Sequence, residues 1–241
     1  MTTEAPKTKT GLLVRSILPL TPGGKKYQSW SGTWTFKENG TWTYKETKVT
    51  SKVPKTKNWT KEKIMELNRD KVFELWKKCP AAKMEELVGE YNGLVPNAGD
   101  PERKKAIDIA MYSEDAPSGF WLGKAFWPLS KTNGDGYNRY RYGGRLENRV
   151  RFATYIGNSL IDGKPAFMMD YGAYHARGTP PGYVSDLIDE VRTLEEGVFV
   201  AMATRKNPDG SRTTPAHFVL IGPVGRYQGA DHPIEELDFG V

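Results

Sequence analysis

The sequence predicts a mainly β chain of the α+β class, in which about eight antiparallel strands close into a barrel preceded by a hairpin and helices. Three observations lead to this fold class. Gly89, Tyr91 and Gly93 occupy every second position of one predicted strand. Because glycine has no side chain, the sheet can bend sharply or a ligand can approach at Gly89 and Gly93. The run Phe120–Trp127 is not plainly solvated on either face. Turn residues then recur between short strand-like segments as far as residue 221.

Composition limits the classes of protein to consider. The chain has 241 residues, of which 27% are charged, and it is long enough for one domain with a sizeable core. Its single cysteine, Cys79, excludes an internal disulfide framework and a metal site built on several thiolates. The first residues do not lead from a basic segment into a long apolar run. We therefore expect no secretory signal and no membrane span, and a cytoplasmic location.

The positive charge is concentrated near the N-terminus. Residues 1–60 contain ten lysines and one arginine against three acidic residues, a net charge of +8, whereas the whole chain carries +6. Basic arms bind phosphates or anionic lipids, but these lysines are spaced among threonines and prolines, which is more typical of a solvated extension. We predict a separate N-terminal extension over residues 1–60 and no nucleic-acid or membrane partner.

One ordered element is expected within this extension. Aromatic residues alternate with Thr and Lys on both sides of residues 38–40, which favours a β-hairpin. A loop of three residues pairs Trp34 with Tyr44. It also pairs Phe36 with Trp42, and so collects four aromatic rings on one face. Because an isolated hairpin is only marginally stable, this face is expected to cap the barrel or to form a homodimer interface.

Helical patterns follow the extension. Thr60 is a suitable N-cap for a helix over residues 61–78 with a broad apolar stripe, and Pro80 ends that helix. A short second helix is expected over residues 81–88. The opening Asp-Pro-Glu at residues 100–102 combines a cap, a first-turn proline and an acid at the positive end of the dipole. It predicts a third helix that ends near Met111.

Strand patterns occupy the rest of the predicted barrel domain, residues 61–222, which a tail over residues 223–241 follows. Turns are expected at residues 133–136, 162–163 and 207–210, where Asn, Asp, Pro and Gly cluster. Together with the strand at Gly89, the predicted strands number eight, enough to close a barrel with room for one ligand. They lie at residues 119–128, 137–143, 148–158, 164–171, 187–193, 197–206 and 212–221.

Residues 84–93, Met-Glu-Glu-Leu-Val-Gly-Glu-Tyr-Asn-Gly, resemble the signature of the bacterial GXWXG proteins, with tyrosine at the tryptophan position. The resemblance continues through Trp121–Phe126, and more loosely through Asp189–Arg192 and Pro215–Leu220, so that it covers about residues 62–222. The family is similar in outline to lipocalin-type and nitrobindin-type barrels. The resemblance implies a lipocalin-like barrel with a ligand cavity, and it implies no particular reaction.

The candidate catalytic residues lie where a predicted strand ends in a loop of small residues, the usual position of a barrel mouth. Asp170, Tyr171, Tyr174 and His175 supply a carboxylate, two phenols and an imidazole. In this set His175 is the candidate base, and a tyrosine would stabilise an enolate or a similar anion. A surface loop whose tyrosines pack on their neighbours is the alternative.

Candidate ligand-binding residues occur on several predicted strands. A buried Lys124 would have a lowered pKa and could form a Schiff base or polarise a carbonyl, whereas at the rim it would extend into solvent. Arginines alternate with tyrosines and apolar residues on two strands, and they would bind an anion only on an inward face. The candidates are Trp121, Lys124, Tyr140, Tyr142, Arg151 and His217.

His217 lies in the middle of a predicted strand, on the same face as Val219 and Ile221. An imidazole inside a barrel could ligate a haem iron, act as a buried base, or be a core histidine bonded to a tyrosine. Three functions therefore remain open. The first is conversion of a hydrophobic, aromatic small molecule by acid–base chemistry without a cofactor or metal, as a lyase or isomerase. The second is a carrier without turnover, and the third is a haem barrel that uses His217.

Overall fold

A computed structural model describes residues 58–116, 119–174 and 184–230 in full, together with the backbone of two strands at residues 26–36 and 42–52. These two strands, β1 (Lys26–Phe36) and β2 (Trp42–Lys52), pair antiparallel in a sheet of their own. Trp34 lies opposite Tyr44, and Phe36 lies opposite Trp42. The predicted register of the hairpin is confirmed, while its loop at residues 38–40 falls outside the described residues.

The helix predicted over residues 61–78 is in fact two helices. α1 (Lys61–Met65) begins at the predicted cap Thr60, and α2 (Arg69–Lys78) begins at a second cap, Asn68. The Asn68 side chain accepts a hydrogen bond from the backbone amide of Lys71 at 2.9 Å. Asparagine that bonds to the local backbone in this way competes with a continuous helix, and this explains the break.

The two later helical predictions have different outcomes. The helix predicted over residues 81–88 is wrong, because only a 3₁₀ turn forms at Met84–Glu86, while Ala81 bridges to Arg192. The third helix is confirmed as α3 (Pro101–Met111). The Asp100 side chain caps it by accepting a hydrogen bond from the amide of Arg103 at 3.0 Å.

Eight antiparallel strands close into a barrel, in the order β10-β3-β4-β5-β6-β7-β8-β9, and the predicted fold class is confirmed. Within the barrel each strand pairs with the strand that follows it in sequence. The last strand, β10, also pairs with the first, β3, and this pairing closes the barrel. The strands are β3 (Gly89–Leu94), β4 (Phe120–Pro128), β5 (Asn133–Tyr142), β6 (Arg145–Asn158), β7 (Pro165–Asp170), β8 (Leu187–Glu195), β9 (Val198–Arg205) and β10 (Ala216–Gly225).

The turn predicted at residues 133–136 is wrong, because these residues begin β5. Gly136 provides the reason. A Cβ atom at this position would lie 2.3 Å from the ring of Phe152 on the neighbouring strand. Glycine therefore makes room for an aromatic ring inside the barrel, and a glycine in a strand often marks such a close approach rather than a turn.

One end of the barrel interior is solidly packed. The ring centroid of Tyr91 lies 5.7 Å from that of Phe126 and 5.6 Å from that of Phe199, and Met84 and Leu87 join the same buried cluster. The 3₁₀ turn thus contributes side chains that close this end.

The outer face of β9 and β10 is covered by α2. Val72 and Trp76 pack against Val200 and Val219 in a second buried cluster. Because Val219 faces outward, its neighbour Phe218 faces inward, where it belongs to the interior cluster. The barrel wall is therefore apolar on both faces along this side.

The packing extends past residue 222, the predicted end of the barrel domain. β10 continues to Gly225, and Tyr227 is buried against Tyr137 with the ring centroids 4.9 Å apart. Residues 231–241 of the predicted tail fall outside the described residues.

Candidate functional site

Shifts in strand register determine which side chains face the inside of the barrel. The pairing of β4 with β5 shifts between Trp121 and Gly123. A bulge of this kind displaces the alternation by one residue, so Trp121 joins the inner face of Lys124. Both side chains line the cavity. Strict alternation along β4 would instead predict that Lys124 shares its face with Phe120 and Leu122.

Two glycines make room for this arrangement. A Cβ atom on Gly93 would lie 2.2 Å from the Trp121 ring, so the indole rests directly on the backbone of β3. Gly123 has a φ of +141°, and a Cβ atom there would lie 2.0 Å from the carbonyl oxygen of Tyr91. Each glycine therefore supports the position of Trp121 in the cavity wall.

A buried polar network forms the floor of the cavity. Lys124 Nζ lies 2.8 Å from Asn138 Oδ1, 2.5 Å from the hydroxyl oxygen of Tyr171 and 3.1 Å from Asp189 Oδ2. The Tyr171 hydroxyl donates to the same Asp189 oxygen at 3.0 Å. Trp121 Nε1 donates to Asn138 Oδ1 at 3.1 Å. Five side chains from three strands and the segment after β7 are thus linked by direct hydrogen bonds.

The second oxygen of Asp189 is different. Asp189 Oδ1 is buried and has no hydrogen-bond partner among the described residues. A buried carboxylate oxygen without a donor is costly, so this atom favours a ligand or water that brings a hydrogen-bond donor. Asp189 itself is part of the cavity wall.

Burial controls the protonation of the network. Desolvation lowers the pKa of the Lys124 ammonium, while the nearby Asp189 carboxylate opposes this shift. Desolvation also raises the pKa of the Tyr171 hydroxyl well above its ordinary value, and the Asp189 charge acts in the same direction. Tyr171 is therefore a protonated donor at neutral pH, and Lys124 gives up a proton more readily than an exposed lysine.

A second register shift positions Asn138. The pairing of β5 with β6 shifts between Gly136 and Asn138, and on β6 Val150 adopts a φ of +57°. Positive φ is strained for a β-branched residue, and such strain often accompanies functional sites. The Val150 carbonyl accepts a hydrogen bond from Asn138 Nδ2 at 3.1 Å. The amide is thereby fixed with its oxygen toward Lys124 and Trp121.

The cavity has a volume of about 360 Å³. Above its polar floor the wall is largely apolar, and aromatic rings form one side of it. Ligand cavities in proteins commonly combine an apolar wall with a few placed polar groups. The wall includes Trp121, Tyr140, Val150, Leu187, Ala203 and Phe218.

The three described members of the predicted catalytic set, Asp170, Tyr171 and Tyr174, do not share one site. Tyr171 is fully buried at the cavity floor, whereas Asp170 is half-buried on the opposite face of the chain. Alternation along β7 separates these neighbours. Tyr174 is half-buried beneath Arg151, whose guanidinium carbon lies 4.4 Å from the centroid of its ring. His175, the predicted base, falls outside the described residues.

The predicted ligand-binding residues divide into two groups. Trp121, Lys124, Tyr140 and His217 line the cavity. Tyr142 is exposed, with the Arg149 guanidinium stacked on its ring.

Arg151 is not part of the cavity wall. Its guanidinium pairs instead with the buried carboxylate of Asp135. The bulge on β6 puts Arg149 and Arg151 on different faces, and alternation alone does not predict this outcome.

His217 lies at the edge of the cavity. Its Nε2 is 2.5 Å from the carbonyl oxygen of Pro96, so this nitrogen carries the proton and donates it. Burial lowers the pKa of the imidazole, and the charges of Arg103 and Arg69 act in the same direction. Nδ1 is buried without a hydrogen-bond partner among the described residues. A haem iron would have to bind through Nδ1, and the haem alternative stays a prediction.

Within the described ranges, no cluster of three or more His, Cys, Asp or Glu side chains is placed to hold a metal ion. None of the helices in these ranges is both long enough and apolar enough to cross a membrane.

Asn138 and Asp189 are site residues that the sequence reasoning did not nominate. On β8, Asp189 occupies the same strand face as Leu187 and Val191, which lie two residues to either side of it. A lone carboxylate between apolar residues on one strand face was the available signal for it. Asn138 gave no comparable signal, because its inward direction depends on the register shift.

Comparison with known proteins gives only distant structural likenesses. No family model matches the chain, and no curated protein matches it. A protein from Thermomonospora curvata is 16% identical, with a TM-score of 0.42, over 65% of this chain and 88% of the other. Bovine odorant-binding protein in complex with a selenium-containing odorant is 14% identical, with a TM-score of 0.32, over 59% of this chain and 74% of the other.

The complex of bovine odorant-binding protein with undecanal gives a similar result. It is 15% identical, with a TM-score of 0.30, over 64% of this chain and 77% of the other. Likenesses at this level carry no argument about function, which has to come from the cavity itself. The resemblance to the GXWXG proteins stays a prediction.

Proposed function

We propose that the protein binds a small, largely apolar molecule in the barrel cavity, with the ligand's one polar end against Lys124, Tyr171 and Asp189. The observation that carries this proposal is a buried hydrogen-bonding floor beneath an apolar wall in a cavity of about 360 Å³. A volume of this size matches the smaller ligand pockets of proteins.

The wall favours a ligand with an aromatic ring. Trp121 and Phe218 lie edge to face, with their centroids 5.8 Å apart, and both line the cavity. Aromatic rings prefer such offset or edge contacts with one another, and a planar ligand extends the arrangement. The unpartnered Asp189 Oδ1 further favours a ligand that carries a hydroxyl or amine donor.

The experiment is a binding titration with the fluorescent apolar probe N-phenyl-1-naphthylamine. Ala203 lines the cavity, and Ala203→Phe fills part of it. Ala106→Phe makes the same change at an exposed position of α3 and is the matched control. We expect Ala203→Phe to weaken probe binding at least about tenfold, or roughly 1.4 kcal/mol, and the control to leave it unchanged. Equal affinity in both variants would place the probe elsewhere and end the proposal.

A second candidate function is turnover of the bound molecule by acid–base chemistry, of the lyase or isomerase type. It is favoured by three titratable groups in hydrogen-bonding contact at the cavity floor: Lys124, Tyr171 and Asp189. In this scheme Lys124 or Asp189 takes a proton from the ligand, and the Tyr171 hydroxyl donates to the developing anion. The predicted role of His175 as the base stays a prediction.

Tyr171→Phe separates turnover from binding. It removes the hydroxyl and keeps the ring that packs on Phe152. A catalytic role predicts that ligand affinity changes little while conversion falls by about a hundredfold. Unchanged conversion would exclude Tyr171 as the catalytic donor, and no detectable conversion by the wild-type protein would leave it a carrier. The predicted homodimer, the cytoplasmic location and membership of the GXWXG family stay predictions.

A further inference from the structure

We infer that Lys124 captures ligands that carry an aldehyde or ketone, as a Schiff base formed at the cavity floor with Asp189 as its counter-ion. This inference rests on the proposed function, because it names the ligand class for the same cavity. Three features lead to it: the burial of the amine, its neighbours, and the free oxygen of Asp189.

The amine is placed where a neutral form and a covalent bond are both favoured. Lys124 is 3% exposed and lines the cavity. Its Nζ lies 5.0 Å from the ring centroid of Phe218 and 5.3 Å from that of Phe152. Burial away from water lowers the pKa of a lysine and makes it a nucleophile, whereas the Asp189 carboxylate and the surrounding rings favour the ammonium. The lowered pKa of Lys124 agrees with this geometry.

Asp189 can hold the proton that the amine must release. Its Oδ2 lies 3.1 Å from Lys124 Nζ, which is close enough for direct transfer. The neutral amine then attacks the carbonyl carbon of the ligand, and a C–N bond forms while the carbonyl π electrons move to oxygen. This oxygen takes the proton from Asp189, and the nitrogen returns one proton to the carboxylate. The product of these steps is a carbinolamine.

Loss of water completes the reaction. Asp189 protonates the carbinolamine hydroxyl, the C–O bond breaks, and the nitrogen lone pair forms the C=N bond. In total, the ammonium and the carbonyl compound give a protonated imine and one water, and Asp189 begins and ends as a carboxylate. No oxidant or reductant is required. Asp189 Oδ1, which has no partner among the described residues, is free to accept a hydrogen bond from the leaving water.

The arrangement also stabilises the product. A protonated imine keeps the positive charge of Lys124, so the pair with Asp189 persists and no buried charge is left uncompensated. The Tyr171 hydroxyl donates to Asp189 Oδ2 and keeps that carboxylate in place. A buried amine without such a partner would gain much less from the reaction.

The test uses the full chain and cinnamaldehyde, a small aromatic aldehyde, with cyanoborohydride to reduce any imine to a stable amine. Intact mass and peptide mapping should show one cinnamyl group per chain, at Lys124. Asp189→Asn, which removes the proton acceptor, should slow labelling at least about tenfold. Lys104, which is exposed on α3, reports the background labelling of surface lysines.

Lys124→Met leaves Asp189 buried without its partner and is a risk to folding, so Lys124→Met/Asp189→Asn is the second variant. It removes both charges and should lose the specific label, while its circular dichroism spectrum and cooperative urea unfolding show that the variant is folded. Labelling spread over surface lysines, at the same level in wild type and in the double variant, would overturn the inference.

Cinnamyl alcohol distinguishes this inference from the proposed function. It has the same skeleton without the carbonyl, and it should displace the fluorescent probe reversibly. If the alcohol binds and the aldehyde leaves no adduct at Lys124, the inference is wrong and the binding proposal stands. If neither compound displaces the probe, both proposals fail.

Discussion

Lys124 and Asp189 form an ion pair across the inside of the barrel, with Nζ 3.1 Å from Oδ2 and both side chains less than 5% exposed. They come from β4 and β8, which are four strands apart in either direction around the closed sheet. Only a closed barrel brings these two strands into contact through their side chains. The pair therefore forms only when the barrel is closed, and it is part of the cavity floor.

Removing one partner of this pair should be costly. In Lys124→Met the Asp189 carboxylate remains buried without its counter-ion, and we expect a loss of about 3–5 kcal/mol in the free energy of unfolding. The double variant Lys124→Met/Asp189→Asn should recover a large part of this loss. Urea denaturation of both variants measures the difference.

The exposed pair Lys104–Asp108 on α3 provides the control. Lys104→Met removes the same chemical group from a solvent-exposed pair and should cost no more than about 0.5 kcal/mol. Equal losses at Lys104 and Lys124 would contradict a special role for the buried pair.

His217 should make stability depend on pH in the weakly acidic range. Its folded-state pKa is lowered, chiefly by burial, so below about pH 6.5 the unfolded chain binds more protons than the folded one. Stability is therefore complete above that pH and falls as the pH decreases, by at most about 1.4 kcal/mol per pH unit.

His217→Gln tests this sign. Glutamine can still donate to the Pro96 carbonyl, but it does not titrate. The difference in unfolding free energy between wild type and variant, measured from pH 5 to pH 7.5, should shrink or reverse as the pH falls. A constant difference would show that His217 is not the titrating group.

Gly93 should be required for ligand binding through Trp121. In Gly93→Ala the added Cβ atom would lie 2.2 Å from the indole ring, so the ring has to move. We expect a loss of about 1–3 kcal/mol in stability and weaker binding of N-phenyl-1-naphthylamine. Gly163→Ala, where a Cβ atom meets nothing within 4 Å, should leave probe affinity unchanged. If both variants bind the probe equally, Trp121 is not part of the binding wall.

Arg192 should not be replaceable by lysine. Its guanidinium forms two hydrogen bonds with Asp162, at 2.9 and 2.7 Å, and stacks 3.8 Å from the ring centroid of Trp76. Lysine keeps the positive charge, but it lacks the paired N–H donors that bind both carboxylate oxygens and the planar group that stacks on the indole. Arg192→Lys should therefore cost about 2–3 kcal/mol, as thermal and urea unfolding would measure. Arg145→Lys, at an exposed position on β6, should change stability by less than about 0.5 kcal/mol, and a similar loss there would contradict the argument.

Much of the local structure follows from local signals. The pairing of Trp34 with Tyr44, the cap at Thr60, the capped α3 and the approximate positions of the barrel strands all depend on residues close together in sequence. Lys124 on an apolar strand was also visible as a candidate. These features could be predicted because turn chemistry, capping and alternation act over a few residues.

The site itself required tertiary structure. Alternation predicts faces only while the register is continuous, and the shifts near Gly123 and Asn138 change which side chains point inward. Tyr171 and Asp170 are adjacent in sequence, but successive side chains along a strand point to opposite faces of the sheet, so only Tyr171 faces the cavity. Lys124 and Asp189 are far apart along the chain, and only closure of the sheet brings them together. The sequence by itself determined the strands and their apolar character, while barrel closure decided which polar side chains meet inside it.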